Sequence, residues 1–566
     1  MKKRVLSAVL ACAMAVALTA CAGAGDVATT TTTTDSSGSN DAVTTDVASA
    51  GDELVDGKFA ETRHITVEVY DRNNDGGTDP TNNMYTDYIK QGMLDKYNVE
   101  VEFVAVPRWT EVEDINNLLA AGTAPDICVS YSYPTVLTYA NMGGVVDLKD
   151  YVEEYKDLTP NLWDFLGEKN ILWDKDPKTG SLWAIEGRRV EQGRINTFVR
   201  KDWLDTLGLS APTTTEEFHD MLIAFRDNAD KLLGDDASKM VPFSISYDVG
   251  WRAANLISSF MDPDITDKEY YVNGFDDRMA TQASTKDAVR VLNNWYNEDL
   301  IWKDFPLYPS GDSTEDDMIK AGYVGAFMHN WDYPFRNGED SINSNLKRNV
   351  GEDAAFIAID PFENSKGEHT KWLYSSAGDR KTFFPSTNDE ILASFLYLDF
   401  ISSPEVIKYL QIGDEGVTHE VLDSGAISLI AATGDAIQNS GKNIDLTITC
   451  NGTYYGDLDL AALSMAYGYG DQDPEIVGQA DQIARSGGIE PKNVNVGEIS
   501  AEADVGDTLT SKRDELFDNS VVASEAEFDS VWDSYMEDYL SAGGQAIMDE
   551  RLEKWEEYFG DADMLP

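Results

Sequence analysis

Apolar residues follow two alternating periods over residues 64–130, and this pattern limits the possible folds more than any other feature of the sequence. The stretch "HITVEVY" at 64–70 has the period of two that is typical of a strand, and "NNMYTDYIKQGMLDKY" at 82–97 has helical spacing. The same order repeats as "VEVEFVAV" at 99–106, "WTEVEDINNLLAAG" at 109–122 and "APDICVS" at 124–130. Strands separated by helices predict an α/β fold with a mostly parallel sheet flanked by helices.

The length and charge of the chain limit its domains and partners. A chain of 566 residues is too long for one compact core, so two or three domains are expected. Acidic residues outnumber basic ones by 101 to 44, which gives a formal net charge of −57. This charge repels phosphate backbones, so no nucleic acid partner is expected, and the simplest reason for the excess of carboxylates is solubility.

The first residues have the pattern of an export signal. Three cations at positions 2–4 precede an apolar run at 5–17 that is too short to span a membrane. The sequence that follows, Leu18-Thr19-Ala20-Cys21, resembles the bacterial lipobox, which implies a signal peptide over 1–20 and a lipid on the Cys21 thiol. The alternative is ordinary secretion, because Ala20-Cys21-Ala22 also fits an A-x-A cleavage site.

Residues 21–57 are rich in Thr, Ser, Gly and Asp, which predicts a disordered tether. A flexible coil of this length reaches roughly 30 Å. The expected location is therefore the extracellular face of a bacterial cell membrane, with the folded body held there by the lipid anchor.

Six stretches of the body resemble, in order, the landmarks of the extracellular solute-binding proteins, family 1, of bacterial ABC importers, and most resemble the lipoprotein branch that handles oligosaccharides. The stretches are "LLAAGTAPDICV" (118–129), "MGGVVDLKDYV" (142–152), "RINTFVRKDWLDTLGLSAPTTTEEFHDMLIAF" (194–225), "AGYVGAFMHNW" (321–331), "STNDEILASFLYLDFISSPE" (386–405) and "IGDEGVTHEV" (412–421).

The resemblance implies a two-lobed periplasmic-binding-protein-like fold of type II, with discontinuous lobes joined by hinge segments. We expect one lobe over 58–192 and 377–430 and the other over 193–376 and 431–566. It also implies that the protein captures an oligosaccharide between the lobes and delivers it to the transmembrane subunits of an ABC permease. A monomer is expected, and a receptor for a peptide or another solute is the alternative within this class.

The sequence contains no recognisable catalytic motif. The five histidines are isolated, and the residues around His419 lack the second histidine of a zinc helix. No nucleophile elbow, Walker loop or complete dinucleotide fingerprint occurs. We therefore expect neither an enzyme nor a cofactor. A secreted polysaccharide hydrolase is the alternative, because the spacing of its two carboxyl groups is not visible in a sequence.

The loop "DRNNDGGTDPTN" at 71–82 begins like a calcium-binding EF-hand loop. The bidentate Glu at its twelfth position is replaced by Asn82, and a strand precedes it, so no metal is expected. The loop follows the first strand of an open sheet, where ligands bind. Asp71, Arg72 and Asn73 are thus predicted to bind sugar hydroxyls, the alternative being a solvated turn.

Further candidate ligand residues follow other predicted strands or lie near predicted crossings between the lobes. Aromatic rings are expected to stack on the C–H faces of sugars, and neighbouring polar groups to bind their oxygens. For most of these residues core packing is the alternative, and for Arg188 it is a salt bridge. The candidates are Tyr131, Tyr133, Arg188, Trp251, Asn330, Trp331, Asp332 and Tyr374.

Two of the four cysteines lie in the leader and two in the body, at Cys128 and Cys450. The body cysteines could form a disulfide only if the fold brought them together. Two buried thiols are the expected state.

Overall fold

The structure of the protein, a computed structural model, describes residues 54–72, 78–377, 380–470, 472–502 and 505–565. The predicted signal peptide, Cys21, most of the tether and Asn73 lie outside the described residues. Among the described helices, none has both the length and the apolar character needed to cross a bilayer.

Short and long strands alternate with helices along the described chain, as the sequence pattern predicts. In chain order the strands are β1 (Leu54–Val55), β2 (Lys58–Phe59), β3 (Arg63–Asp71), β4 (Val99–Pro107), β5 (Cys128–Ser130), β6 (Ile185–Glu186), β7 (Arg188–Arg189), β8 (Ile195–Arg200), β9 (Val241–Ser244), β10 (Val324–Asn330), β11 (Phe356–Ile359), β12 (Lys371–Trp372), β13 (Lys381–Phe383), β14 (His419–Val421), β15 (Ile427–Leu429), β16 (Cys450–Asn451) and β17 (Gly488–Ile489).

The helices begin and end at recognisable caps: Asn83 forms a capping box with Thr86 at the start of the first helix, and Gly122 ends the second in the left-handed conformation. In chain order the helices are α1 (Met84–Tyr97), α2 (Glu111–Ala121), α3 (Tyr133–Asn141), α4 (Tyr151–Glu154), α5 (Pro160–Ile171), α6 (Lys201–Leu207), α7 (Thr215–Asp227), α8 (Ala229–Leu233), α9 (Val249–Arg252), α10 (Ala254–Phe260), α11 (Asp267–Asn273), α12 (Thr285–Asn297), α13 (Thr314–Ala321), α14 (Ile342–Asn349), α15 (Ile391–Ser402), α16 (Pro404–Ile412), α17 (Leu458–Met465), α18 (Pro474–Arg485), α19 (Gly506–Val522), α20 (Phe528–Tyr539) and α21 (Gln545–Phe559).

The first lobe contains a five-stranded sheet in the order β4, β3, β5, β13, β6. β3 and β4 are parallel over nine residue pairs, and the bridge between Val67 and Ile127 places β5 beside β3. β13 is antiparallel to both β5 and β6, so it alone among these five strands is reversed. The carboxyl ends of the other four strands therefore meet at one edge.

The second lobe contains a sheet in the order β11, β8, β10, β9. β10 is parallel to β9, and β8 is antiparallel to both β10 and β11. A bridge between Phe243 and Ile301 extends the parallel side by one position. In each lobe all strands of the sheet but one therefore run in the same direction, and the reversed strand makes the antiparallel pairs.

Separate hydrophobic cores support the two sheets. The first core comprises residues between Phe59 and Val190 and between Phe384 and Cys450. The second comprises residues between Ile195 and Trp372 and between Met465 and Ile547. Leu446, Ile448 and Cys450 pack in the first core, although the sequence places them in the second lobe, and the exact lobe boundaries stay a prediction.

The chain crosses between the lobes at the carboxyl ends of the parallel strands. The first crossing enters β8 at Ile195, which pairs with the last residue of β10, Asn330. The second crossing enters β13 at Lys381, which pairs with the last residue of β5, Ser130. Because both reversed strands begin at this edge, the crossings lie on the same side of each lobe as the carboxyl ends of its other strands.

The closing segment matches its prediction of two helices interrupted at a glycine pair. α20 and α21 are joined by a π-helical turn over Leu540–Gly544, in which Gly543 has a φ of 137°. Only a residue without Cβ adopts that backbone conformation readily.

Candidate ligand-binding cleft

The first lobe presents an arginine and three aromatic rings where its parallel strands end. Arg108 follows β4, and its guanidinium carbon lies 4.3 Å from the ring centroid of Tyr131 and 5.1 Å from that of Tyr70. Tyr70 and Tyr131 are stacked with their centroids 5.9 Å apart. Trp109 lies 5.4 Å from the same guanidinium and is 69% exposed. This group offers flat surfaces to a ligand beside a fixed cation.

A buried carboxylate fixes the position of the Arg108 guanidinium. Its Nη1 donates to Glu111 at 2.8 Å, and Ser130 donates to the other oxygen of the Glu111 carboxylate at 3.3 Å. Glu111 is buried, so the ion pair fixes the direction in which Arg108 points.

The predicted loop residues have different environments. Asp71 is half-buried at the end of β3. Arg72 forms a bidentate ion pair with the buried Asp445 at 2.7 and 2.8 Å, and the hydrogen bonds to Asp445 raise the pKa of Arg72. Arg72 therefore joins β3 to the loop around Asp445, and its contact with a sugar stays a prediction, as does that of Asp71.

Tyr133 and Arg188 are tied to backbone carbonyls. The Tyr133 hydroxyl donates to the carbonyl of Asp174 at 2.9 Å, and burial raises the pKa of this phenol. Arg188 donates to the carbonyl of Phe165 at 2.9 Å. Both residues therefore stabilise the first lobe and its crossing, and ligand contact for either one is a prediction that the structure does not test.

Trp251 lies within cation–π distance of two guanidinium groups in the second lobe. It belongs to α9, which follows the carboxyl end of β9, and its ring is half-buried. Its ring centroid is 4.7 Å from the guanidinium carbon of Arg194 and 5.1 Å from that of Arg278.

The three residues at and directly after the end of β10 contact other residues of the protein. Trp331 is 7% exposed and packs edge-on against Tyr469, with the centroids 6.0 Å apart. Asp332 accepts a hydrogen bond from the Tyr469 hydroxyl at 3.0 Å and pairs with Arg336 at 2.5 Å. The backbone N–H of Asn330 donates to its neighbour His329 at 2.8 Å. Trp331 offers little surface for stacking in this conformation, and sugar binding at these positions stays a prediction.

Tyr374 lies at the junction of the first two crossings. Its N–H donates to the carbonyl of Gln192 at 3.0 Å, and the Gln192 amide donates back to the carbonyl of Tyr374 at 3.2 Å. The Tyr374 ring is 4.5 Å from the guanidinium carbon of Arg189 and 5.6 Å from that of Arg194. The structure thus brings Tyr374 and Trp251, two of the predicted residues, together around Arg194.

A cavity of about 350 Å³ opens beside Arg194. It is bordered by aromatic side chains from both lobes, including Trp173 after α5 and Trp372 in β12, and 350 Å³ is within the size range of small-ligand pockets. Asn493 donates to the carbonyl of Trp173 at 2.7 Å, so a segment of the second lobe also contacts the first lobe here.

Sequence reasoning missed Arg108, Trp109 and Arg194. The first two follow a predicted strand directly, so the rule that selected Tyr131 would also have selected them. Arg194 is the last residue of the stretch "IEGRRVEQGR", in which only Arg188 is predicted to bind the ligand.

Within the described residues, no group of three or more His, Cys, Asp or Glu side chains is arranged to hold a metal ion. Residues 73–77 of the calcium-like loop lie outside those residues, so the expectation that it binds no metal stays a prediction.

No protein-family model matches the chain. The chain is 24% identical over 328 residues to the polygalacturonan/rhamnogalacturonan-binding protein YtcQ of Bacillus subtilis (strain 168), a match that covers 56% of this chain and 61% of YtcQ. It is 25% identical over 252 residues to the lipoprotein LipO of the same organism, covering 42% of this chain and 45% of LipO. The matches thus span less than two thirds of each relative.

Among solved structures, an HMO-binding solute-binding protein associated with an ABC transporter of Bifidobacterium longum infantis ATCC 15697 is similar, with a TM-score of 0.56 and 17% identity. The similarity covers 88% of this chain and 99% of that protein. It confirms the two-lobed α/β fold that the sequence resemblance implies.

Proposed function

We propose that this protein is the substrate-binding lipoprotein of an ABC importer, which captures an oligosaccharide between its lobes and delivers it to a membrane permease. The observation that carries the proposal is the placement of aromatic rings and guanidinium groups at the carboxyl ends of the strands in both sheets. Tyr131 and Trp109 lie at that edge in the first lobe, Trp251 lies there in the second, and Tyr374 lies at the crossing.

Such groups suit a carbohydrate because its rings have apolar C–H faces and its edges carry hydroxyls. The aromatic side chains stack on the faces, while arginines and carboxylates bind the hydroxyls. Micromolar affinity requires about 8 kcal/mol, which a few stacks and several hydrogen bonds supply after the cost of ordering the ligand.

Capture involves closure of the lobe predicted over 58–192 and 377–430, in whose core Leu446, Ile448 and Cys450 also pack, on the lobe formed by the remaining residues of the body. The hydrogen-bonded pair of Gln192 and Tyr374 lies where the first two crossings meet. Rotation there changes few backbone angles and leaves both cores intact, as in hinge closure generally. The closed form is the one that docks on the permease.

Lipidation of Cys21 anchors the protein to the extracellular face of the membrane as a monomer, and the tether over 21–57 holds the body away from it. The likeness to LipO, a lipoprotein, supports the anchor, and the polysaccharide named for YtcQ supports a carbohydrate ligand. Replacing Cys21 with Ser is expected to move the protein from the detergent phase to the aqueous phase in a phase-separation assay. Equal partition of both forms would contradict lipidation.

The protein carries out no covalent step on its ligand in this proposal. YtcQ is named as a binding protein, which supports this assignment over a polysaccharide hydrolase. The test is a panel of oligosaccharides and peptides added to the purified chain. A rise in melting temperature with a sugar that stays intact is the expected result.

Small-angle scattering of the same samples reports on closure, and a decrease in the radius of gyration with ligand is expected. Release of reducing ends would favour the hydrolase, and a shift with peptides alone would favour a peptide receptor. No shift with any compound would indicate an adhesin instead of a receptor.

A further inference from the structure

Arg194 is a buried cation whose hydrogen-bonding capacity the protein uses only in part. Its side chain is 11% exposed, and burial lowers its pKa. The only hydrogen bond that its guanidinium makes to another described side chain goes to Asp277, at 3.1 Å, and its Nε has no partner within the described residues. An arginine has five N–H donors, so most of the fork is left for another acceptor.

The single acidic partner of Arg194 neutralises it weakly. Asp277 is 61% exposed, so solvent screens its charge. Asp277 is also shared, because Arg278 pairs with the same carboxylate oxygen. Arg278 also forms a bidentate pair with Asp248 at 2.7 and 3.1 Å, so it has a second carboxylate, whereas Asp277 is the one acidic partner that the described residues give Arg194.

The orientation of the Arg194 guanidinium is fixed by aromatic rings. Trp251 is 4.7 Å and Tyr374 is 5.6 Å from its central carbon. A planar guanidinium that is held in one orientation can bind a planar carboxylate through two parallel hydrogen bonds, and little side-chain freedom is then lost on binding.

The cavity beside Arg194 is lined by more cations than acidic residues, unlike the chain as a whole. Of its four charged lining residues three are cations, Arg194, Lys492 and Arg551, and one is acidic, Asp277. In the whole chain acidic residues outnumber basic ones by 101 to 44. Lys492 pairs with Asp267 at 3.2 Å and Arg551 with Glu502 at 2.7 Å, and Lys492 is 46% exposed, so Arg194 is the most buried lining cation, and its one acidic partner among the described residues is exposed.

We propose that the ligand is an acidic oligosaccharide and that Arg194 binds the carboxylate of one of its uronic acid residues in this cavity. The inference rests on the proposed function and adds the chemical class of the sugar. The half-buried Trp173 supplies an apolar surface for the ring of that residue, and the buried Trp372 borders the same cavity. A neutral sugar would keep the guanidinium buried without adding a counter-charge, whereas a carboxylate supplies both the charge and the two acceptors that match the fork.

The test measures binding to the full chain in detergent by calorimetry. The probes are trisaccharides of galacturonate, glucuronate and mannuronate, their methyl esters, and neutral trisaccharides of the same length. The ester keeps the shape of each sugar and removes its charge. At least one acidic trisaccharide is expected to bind tenfold to hundredfold more tightly than its ester, as for a lost charge-assisted hydrogen-bonded pair.

Substitution of Arg194 with Gln is expected to remove this preference for the acid, and substitution with Lys to retain part of it. The matched control is Arg290→Gln. Arg290 likewise lies over an aromatic ring, Phe528 at 4.3 Å, and pairs with an exposed carboxylate, Asp529 at 2.6 Å, but it is outside the cavity. This control is expected to keep the full preference.

Each outcome decides between the two proposals. Equal binding of acids, esters and neutral sugars would overturn the acidic-ligand inference and leave the proposed function intact, whereas no binding of any saccharide would overturn both. A folded Arg194→Gln protein that keeps the preference would overturn the role of Arg194. If that variant does not fold, the comparison of acid and ester on the unaltered chain still decides the ligand class.

Discussion

Arg252 and Glu315 form a bidentate ion pair inside the second lobe, with nitrogen-to-oxygen distances of 2.6 and 2.7 Å. The side chains are 1% and 7% exposed. Arg252 also donates to the carbonyl of Met328 in β10 at 2.8 Å, and Ser244 and Ser246 donate to Glu315 at 2.6 Å. The pair therefore joins β9, α9, β10 and α13 directly behind Trp251.

Replacing Arg252 with Met is expected to lower the free energy of unfolding by about 3–5 kcal/mol, because Glu315 is left as a buried charge without a counter-ion. Urea denaturation measures the change. The double variant Arg252→Met, Glu315→Met should recover much of the loss, since neither charge remains. Equal destabilisation of the single and double variants would contradict this account.

Replacing Trp109 with Ala is expected to weaken ligand binding about threefold to tenfold, which is the effect of losing one aromatic stack. The melting temperature should stay unchanged because the ring is 69% exposed. Calorimetry with the best saccharide of the panel provides the measurement. The control is Leu307→Ala, at a side chain that is 72% exposed and lies in the second lobe, next to the core residue Phe305. An unchanged Kd for the Trp109 variant would remove this ring from the site.

Replacing Gly187 with Ala is expected to destabilise the protein by about 1–3 kcal/mol, because the new Cβ would lie 2.8 Å from the carbonyl oxygen of Ile448. This residue lies between β6 and β7 at the start of the first crossing, so its neighbours are backbone atoms that move only with the crossing. Ligand affinity should fall together with stability.

Gly441→Ala is the matched control for that variant, since its Cβ would meet no heavy atom of the described chain within 4 Å. Chemical denaturation of both variants compares them directly. The same stability for both would indicate that the crossing is loosely packed at Gly187.

The stability of the protein is expected to depend on Glu68, which is fully buried in β3. Burial raises the pKa of this carboxyl group from 4.5 to about 8, although its carboxylate accepts a hydrogen bond from Val129 at 2.8 Å. The folded state therefore binds the proton more tightly than the unfolded state. The stabilisation is complete below pH 4.5 and is lost as the pH rises through 8.

Between pH 5 and 8.5 the unaltered protein should lose on the order of 4 kcal/mol relative to Glu68→Gln, whose amide keeps an acceptor for Val129 and does not titrate. Denaturant titrations at intervals of half a pH unit measure the difference. Parallel pH profiles of the two proteins would show that Glu68 is not protonated at neutral pH.

The fold could be predicted from the sequence because its determinants are local and repeated. The strand at 64–70 and the helix at 82–97 differ in apolar period, and each was found within a few residues of its observed bounds, Arg63–Asp71 and Met84–Tyr97. Cys128 and Cys450 are both buried thiols, as expected.

The candidate site was less predictable because contacts from distant parts of the chain determine which side chains are available to a ligand. Trp331 follows a strand as expected, but Tyr469, from a much later segment, covers its edge. The hydroxyl of Tyr133 donates its hydrogen bond to the carbonyl of Asp174, which belongs to another loop. Arg194 has no local signature, and its role depends on rings supplied by α9 and by the second crossing. No sequence period reports such contacts.

The two buried thiols of the first lobe can report how often that lobe opens. Cys128 begins β5 and Cys450 begins β16, and both side chains are inaccessible to solvent. An alkylating reagent reaches these thiols only when that lobe opens, so the rate of modification measures how often the interior is exposed. A bound sugar that holds the two lobes together is expected to lower this modification rate without contacting either sulfur.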